Sequence, residues 1–291
     1  MTNESLEDTE YPALYQATNS TAISAQKIYY FGISFVLLSL VGASIFSLFS
    51  GDNKSFAILS AVLLFLSPIL SYFLAIKRYD KIWFRARTAA ESIKTMSWRY
   101  MMRAQPYDSK TARSLFISNL RQILREDSEF SQHLPSNSAD SEQITGYMET
   151  TKSLDLADRM ALYLKNRIDE QRAWYAKKAN FNKSMAMRWF WLMIFFQIAA
   201  ATSATFKIIY SDWMYFPIGI FATAAASVFA WIQAKRFQDL GTSYIITAHE
   251  IGMVRSAHSE VEGEEQFSEF VGDAENAFSR EHTLWQARRD T

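Results

Sequence analysis

Residues 28–51 read IYYFGISFVLLSLVGASIFSLFSG, a run that contains no Asp, Glu, Lys, Arg or His. Three further runs share this property: SFAILSAVLLFLSPILSYFLAI at 55–76, WFWLMIFFQIAAATSATF at 189–206 and WMYFPIGIFATAAASVFAWIQA at 213–234. A helix rises about 1.5 Å per residue, so each run can cross a hydrocarbon core about 30 Å thick. The sequence therefore predicts an all-α membrane protein with four transmembrane helices, arranged as two hairpins.

Charged residues are segregated from these four runs. The chain has 30 basic and 30 acidic residues, and they fall almost wholly outside the predicted spans. It contains no cysteine, which excludes disulfides and thiolate metal sites and favours a reducing compartment for the soluble part. The first run follows an acidic segment and is too long for the apolar part of a signal peptide, so we expect it to remain in the mature protein.

The flanks of the spans predict their orientation. The loops 51–54 and 207–212, which close the two hairpins, each carry one Lys and one Asp. The opposite ends carry most of the flanking basic residues: Lys27, Lys77, Arg78, Lys81, Arg85, Arg87, Lys177, Lys178, Lys183, Arg188, Lys235 and Arg236. The positive-inside rule therefore places both termini and the middle region in the cytoplasm.

The two halves of the chain resemble a diverged parallel repeat. At the ends of the second and fourth spans, Lys77-Arg78-Tyr79 aligns with Lys235-Arg236-Phe237, and without a gap Ala90 then aligns with Ala248 and Ile93 with Ile251. Each half is expected to be a two-span hairpin whose second helix runs on without a break into the cytoplasm.

The polar segments show helical spacing of apolar residues and no convincing period-two alternation, which predicts a helical bundle. The predicted organisation is an N-terminal cytoplasmic segment at 1–27, a first unit at 28–134 with cytoplasmic helices 77–104 and 108–127, a linker at 135–153, and a second unit at 154–291 with cytoplasmic helices 154–188, 235–258 and 264–289.

Motifs that support catalysis are scarce. There is no Gly-rich phosphate loop, no Gly-x-Ser-x-Gly elbow and no His pair at metal spacing. An acid and base pair at Glu281 and His282, or an enzyme that also uses Glu91, finds little support because no polar cluster surrounds these residues in the sequence. We therefore expect neither catalysis nor a cofactor or metal, and the basic flanks are explained by membrane topology without nucleic acid binding.

The spans carry polar but no charged side chains, which disfavours a transporter with an ionisable relay. Gln197, Thr202, Ser203 and Ser227 are candidate pore-lining residues; the alternative is ordinary helix packing with internally satisfied hydroxyls. Four helices leave little room for a lumen, so a conducting path requires a homo-oligomer.

Two segments carry a resemblance to a known family. Residues 79–104, which read YDKIWFRARTAAESIKTMSWRYMMRA, are similar to the segment that follows the two spans in one branch of the SLATT superfamily, the SMODS and SLOG-associating two-transmembrane effectors. A second branch is similar to residues 163–180, with Arg167, Gln171, Trp174, Tyr175 and Lys178, and to the tail from Phe270 to Trp285. The chain thus looks like a tandem fusion of two branches.

This resemblance implies a bacterial inner-membrane effector of an antiviral conflict system, which forms a pore or disrupts the membrane when a nucleotide signal reports infection. The signal would be made or sensed by a separately encoded partner or would bind the helical bundle. The residues expected to fix or gate the helix pairs are Trp83, Glu91, Trp98, Arg99, Gln171, Trp174 and Trp285, with the helices leaving Ile76 and Ala234 as levers. The alternative is a non-conducting anchor or scaffold that recruits a cytoplasmic partner.

Overall fold

The structure is a computed structural model that describes residues 7–51, 53–126, 131–135 and 141–290, and it leaves out the side chains of 260 and 279–290. The described residues are helical and contain no strand, which confirms the predicted fold class. The helices are α1 (Ala13–Leu48), α2 (Lys54–Lys77), α3 (Tyr79–Met101), α4 (Ala112–Glu126), α5 (Gly146–Ser153), α6 (Leu156–Tyr163), a π-helical segment (Leu164–Asp169), α7 (Glu170–Ile209), α8 (Ile218–Lys235), α9 (Phe237–Ser256) and α10 (Glu264–Asp290). We refer to α1 to α6 as the N-terminal half and to α7 to α10 as the C-terminal half.

Within the described residues, four helical stretches are long and apolar enough to cross a membrane. They are Ala13–Leu48, Lys54–Met101, Leu156–Ile209 and Ile218–Ser259. The second and third contain the whole of a predicted apolar run. The first ends at Leu48 and not at Gly51, and the fourth begins at Ile218 and not at Trp213. Pro217 explains the later start of the fourth, because it lacks a backbone N–H and sits at the N-cap, so residues 213–216 remain outside α8.

The chain divides into two compact units. The head unit comprises Met1–Gln26, Asp80–Ala179 and Thr242–Thr291, and the span unit comprises Lys27–Tyr79 and Asn180–Gly241. Both halves of the chain contribute to both structural units. The predicted N-terminal segment at 1–27 and the predicted sequential units stay predictions.

A left-handed residue ends each hairpin's second helix. Arg78 (φ 46°) follows α2 and Arg236 (φ 49°) follows α8, and both are non-glycine residues in the left-handed region. Their backbone N–H groups donate to Leu74 and Ile232, which closes the last turn of each span. The helices that leave Ile76 and Ala234 are therefore interrupted at Arg78 and Arg236, and their role as levers stays a prediction. The two arginines are paired in the same ungapped alignment that defines the repeat, which supports the repeat from backbone conformation.

The head unit has one apolar core built from both halves of the chain. Ala90 and Ile93 of α3 and their repeat counterparts Ala248 and Ile251 of α9 are all buried in the same cluster. The cluster also contains apolar side chains of α10, namely Phe267, Phe270, Val271, Ala274 and Phe278. Helices of both halves therefore share this core, beside a small cluster of Ala22, Ala86 and Ala89 from the first half.

The predicted linker at 135–153 is in part a helix. Residues 136–140 lie outside the described residues, but α5 occupies Gly146–Ser153. Thr145 caps this helix by accepting a hydrogen bond from the N–H of Met148 at 3.3 Å, and Met148 is fully buried. A short helix with a cap and a buried anchor is difficult to recognise inside a sequence rich in Ser and Thr.

Small residues bring the first two spans together in the span unit. A Cβ on Gly32 would lie 2.7 Å from Leu74, so α1 and α2 approach closely there. Ser60 of α2 is buried and donates a hydrogen bond across the hairpin to the carbonyl of Ala43 at 2.9 Å. In the second hairpin, Trp189 and Trp231 meet at a centroid distance of 6.1 Å.

The left-handed arginine predicts an unusual response to glycine. Replacing Arg236 with Gly relieves a backbone cost of about 1 kcal/mol and loses only an exposed pair with Asp239 worth about 0.5 kcal/mol or less, so the apparent Tm in detergent should stay level or rise. Arg236→Val should lower it, because a β-branched residue tolerates positive φ poorly.

The control is Ser118→Gly at an exposed position of α4, where glycine in a helix should cost about 0.5 kcal/mol. A loss of stability in Arg236→Gly as large as in this control would contradict the left-handed conformation.

Candidate functional site

Trp98 lies at the centre of the head unit. Its side chain is fully buried, its Nε1 donates a hydrogen bond to the Tyr11 hydroxyl at 2.9 Å, and its ring meets Tyr163 edge-on at 5.6 Å. Burial raises the pKa of the Tyr11 hydroxyl well above its usual value. The segment before the first span is thus tied to the core and is part of the head unit.

A buried ionic network lies beside Trp98. Arg167 donates from Nε to Oε1 of Glu275 at 2.8 Å and from Nη2 to Oε2 at 2.6 Å, which is a two-pronged pairing. The Tyr163 hydroxyl donates to the same Oε1 at 2.9 Å. All three residues are at most 1% exposed. This network places three polar groups in the interior, where each depends on the others for its hydrogen bonds.

The charges in this network are strongly coupled. Burial alone would lower the pKa of Arg167, but the adjacent Glu275 carboxylate raises it above its ordinary value. Burial, followed by the negative charge of Glu275, raises the pKa of the Tyr163 hydroxyl well above its usual value. Arg167 is therefore a cation and Tyr163 is a neutral donor at any physiological pH.

Local backbone geometry positions the arginine. Arg167 and Ile168 are adjacent in sequence and both are buried, and they lie in the π-helical segment Leu164–Asp169. A π-helical turn contains an extra residue, which changes the rotation of the helix and moves the positions that face the core. This segment joins α6 to α7, so it links the N-terminal half to the third span's helix.

Three further contacts hold α10 against the N-terminal half. Arg159 is fully buried, donates to the carbonyl of Met102 at 2.7 Å and pairs with Glu264. Arg99 donates to the carbonyl of Gly272 at 3.1 Å and to Oδ1 of Asn276 at 2.8 Å. Together with the Glu275 network, these arginines fix α10 at several points along its length.

A second group of charges lies where α1 packs on α3. Arg87 pairs with Glu91 and donates to Asn19 at 3.3 Å. The Lys94 ammonium lies 5.5 Å from the centre of the Tyr11 ring. Burial, together with the positive charges of Arg167 and Arg87, lowers the pKa of Lys94. These contacts favour a structural role for Glu91, through its pairing with Arg87.

The remaining predicted gating residues have different surroundings. Trp83 stacks on Phe84 at 4.5 Å and packs against a small alanine cluster. Gln171 is half-buried, and Trp174 is 38% exposed and contacts Tyr244 edge-on at 5.6 Å. Trp285 belongs to α10, but its side chain lies outside the described residues, as do those of Glu281 and His282. The gating role of Trp83, Gln171, Trp174 and Trp285 stays a prediction.

The four candidate pore-lining residues do not share one helical face. On α7, Gln197 and Thr202 are exposed and Ser203 is half-buried, and successive residues turn by about 100°, so the three point in different directions. Ser227 of α8 is half-buried. Helices in the span unit expose most of their apolar windows, of which 0% to 17% is buried inside the structure. Lining of a pore by these residues stays a prediction.

The sequence reasoning missed the structural importance of Arg159, Arg167 and Glu275. A signal was present, because Glu275 falls within the apolar stripe formed by Val271, Ala274 and Phe278, where a charge requires a buried partner. Within the described residues, no group of three or more His, Asp or Glu side chains is placed to hold a metal ion. The arrangement can lock helices together, and breaking it would release them together.

Removing Glu275 should strongly destabilise the head unit. Glu275→Ala leaves the Arg167 guanidinium buried without its partner, which should cost about 3–5 kcal/mol of unfolding free energy. The measurement is chemical unfolding of the purified protein followed by tryptophan fluorescence. In the double variant Arg167→Met with Glu275→Leu, apolar side chains replace both charges, and most of the loss should be recovered.

The matched control is Arg113→Ala, which removes an exposed pair with Glu149 and should change stability by about 1 kcal/mol or less. Equal effects of Glu275→Ala and Arg113→Ala would contradict the importance assigned to the buried network.

Comparison with known families assigns nearly the whole described chain. The model of the SMODS and SLOG-associating 2TM effector domain 3 matches residues 12–160, and that of the SMODS and SLOG-associating 2TM effector domain 1 matches residues 163–285. No curated protein and no solved structure matches. The boundary falls between Arg159 and Arg167, so α10 of the second domain is held by side chains of both. The chain belongs to the SLATT family of membrane-associated conflict-system effectors and is a tandem fusion of two of its two-span domains.

Proposed function

We propose that this protein is an effector of a bacterial antiviral conflict system that oligomerises in the inner membrane and permeabilises it when triggered. The observation that carries the proposal is that two effector-domain matches together bring four candidate spans into one chain. Multi-pass membrane association is a property of the fold, whereas permeabilisation is the proposed activity.

Conduction would require several copies. The apolar windows of the four spans are largely exposed, and the window of the third has no buried residue. A single chain therefore offers broad helix surfaces for contact with lipid or with other copies, and the exposed Gln197 and Thr202 place polar groups on those surfaces. Assembly around a common axis would bring such groups together along a narrow path.

The head unit would restrain the spans until a signal arrives. Its buried polar contacts are the ion pair of Arg167 with Glu275 and the hydrogen bond of Trp98. In this proposal a separately encoded nucleotide-signal synthase or sensor disturbs these contacts. The family description, which associates these domains with SMODS and SLOG, supports such a partner. The basic flanks of the spans support a cytoplasmic head and cytoplasmic termini. In this scheme the chain acts without catalysis.

The proposal predicts depolarisation that depends on a polar span residue. Controlled expression in bacteria together with the genomic neighbours and their trigger should depolarise the membrane, read by a potential-sensitive dye, before viability falls. Gln197→Leu removes a polar group worth about 1–2 kcal/mol to a polar path and should slow depolarisation roughly tenfold at equal membrane abundance.

The control is Phe195→Leu, an apolar exchange at an exposed position of the same helix, which should depolarise as the parent does. A stable potential in the triggered parent would overturn permeabilisation and favour the scaffold that recruits a cytoplasmic partner. Normal depolarisation by Gln197→Leu would exclude Gln197 from the conducting path.

A further inference from the structure

One side of α9 carries exposed apolar side chains in the head unit. Ile245, Ile246 and Met253 are 41%, 50% and 72% exposed. In the described part of the head unit, the other exposed large hydrophobic residues are Ile23 and Trp174, which lies on the neighbouring α7. With the exposed His249 and Glu250 they form a surface that we name the α9 face.

Helical spacing makes the α9 face continuous. The spacing is four residues from Ile246 to Glu250 and three from Glu250 to Met253, and it is four from Ile245 to His249. These five residues therefore occupy one side of the helix. Ala248 and Ile251 occupy the opposite side and are buried in the core. The α9 face is therefore the outer side of a helix that is already anchored.

The fold itself does not require apolar residues on this face. In the repeat alignment, the counterparts of Ile245, Ile246 and Met253 are Arg87, Thr88 and Thr95 on α3. These three positions of α3 carry polar, half-buried side chains, so the exposed apolar character of the α9 face is specific to the second half.

The two edges of the α9 face carry opposite charges. On one edge lies α7, because Trp174 contacts Tyr244 and a Cβ on Gly252 would lie 4.0 Å from Arg172. Arg172 is exposed and basic. Successive residues of a helix turn by about 100°, so Glu250 lies about 160° around α9 from Gly252. Glu250 therefore borders the edge away from α7.

We propose that the α9 face is the interface through which two copies of this chain dimerise. A two-fold axis parallel to α9 brings the same apolar stripe of each copy together. It places each edge of one copy opposite the other edge of its partner, at the same position along the helix. Arg172 of one copy then meets the partner's Glu250, and the reverse contact forms by symmetry. The face is thus self-complementary in charge.

This interface deepens the proposed function, on which it rests for its membrane setting, by naming where copies meet. It does not depend on conduction, because dimer contact and permeability are measured separately.

Single cysteines test the interface directly, since the chain has none. In membranes that contain the full-length protein, Met253→Cys should give a disulfide-linked dimer under mild oxidation. Ser118→Cys, at an exposed position of α4, is the control and should stay monomeric. Dimer from Met253→Cys no greater than from Ser118→Cys would overturn the proposal, as would a crosslink only to a different protein.

Charge reversal tests the register and keeps the proposal falsifiable if one variant folds poorly. In the Met253→Cys background, Arg172→Glu or Glu250→Arg alone should reduce crosslinked dimer about threefold to tenfold, because two ion pairs become two repulsions. Coexpression of the two single variants should restore dimer, since both contacts then pair opposite charges. No reduction, or no restoration on coexpression, would overturn the two-fold arrangement.

Membrane potential measured on the same samples separates the two proposals. Crosslinked dimer with a stable potential supports the α9 interface and overturns permeabilisation. Depolarisation without crosslinking above the Ser118→Cys control supports permeabilisation and overturns the α9 interface.

Discussion

The head unit depends on one buried charge pair, Arg167 with Glu275. An unpaired charge in an apolar interior is so unfavourable that the two side chains constrain each other's position, and Tyr163 completes the set of hydrogen bonds. Glu275 belongs to the last helix, whereas Tyr163 and Arg167 lie where the two family domains join. The pair therefore decides where α10 packs, and with it how the apolar core is closed.

Around this pair the tandem domains share one apolar core. Equivalent residues of the repeat, Ala90 and Ile93 with Ala248 and Ile251, share one core, and α10 is bound by Arg99 and Arg159 of the first domain. A fusion of this kind fixes the stoichiometry of the two domains.

Much of the fold could be predicted from sequence. The length of the apolar runs and their lack of charge indicate the spans, and the alignment of Arg78 with Arg236 indicates the repeat. The left-handed conformation of those arginines could not, since arginine has no preference for positive φ and only the backbone reveals it. The π-helical turn at Arg167 and the short helix at Gly146–Ser153 depend on tertiary partners that local pattern does not encode. For the site, Trp98 was recognised as structural, whereas the pairing of Glu275 required knowing which helices meet.

Hydrogen exchange measured by mass spectrometry on the full chain tests the joint core most directly. If the two domains share one cooperative core, Glu275→Ala should reduce amide protection relative to the parent in both domains. The loss in α3 of the first domain should be about as large as the loss in α10 of the second. Protection lost in α10 while α3 keeps the parent's protection would contradict the account and show two independently folded domains.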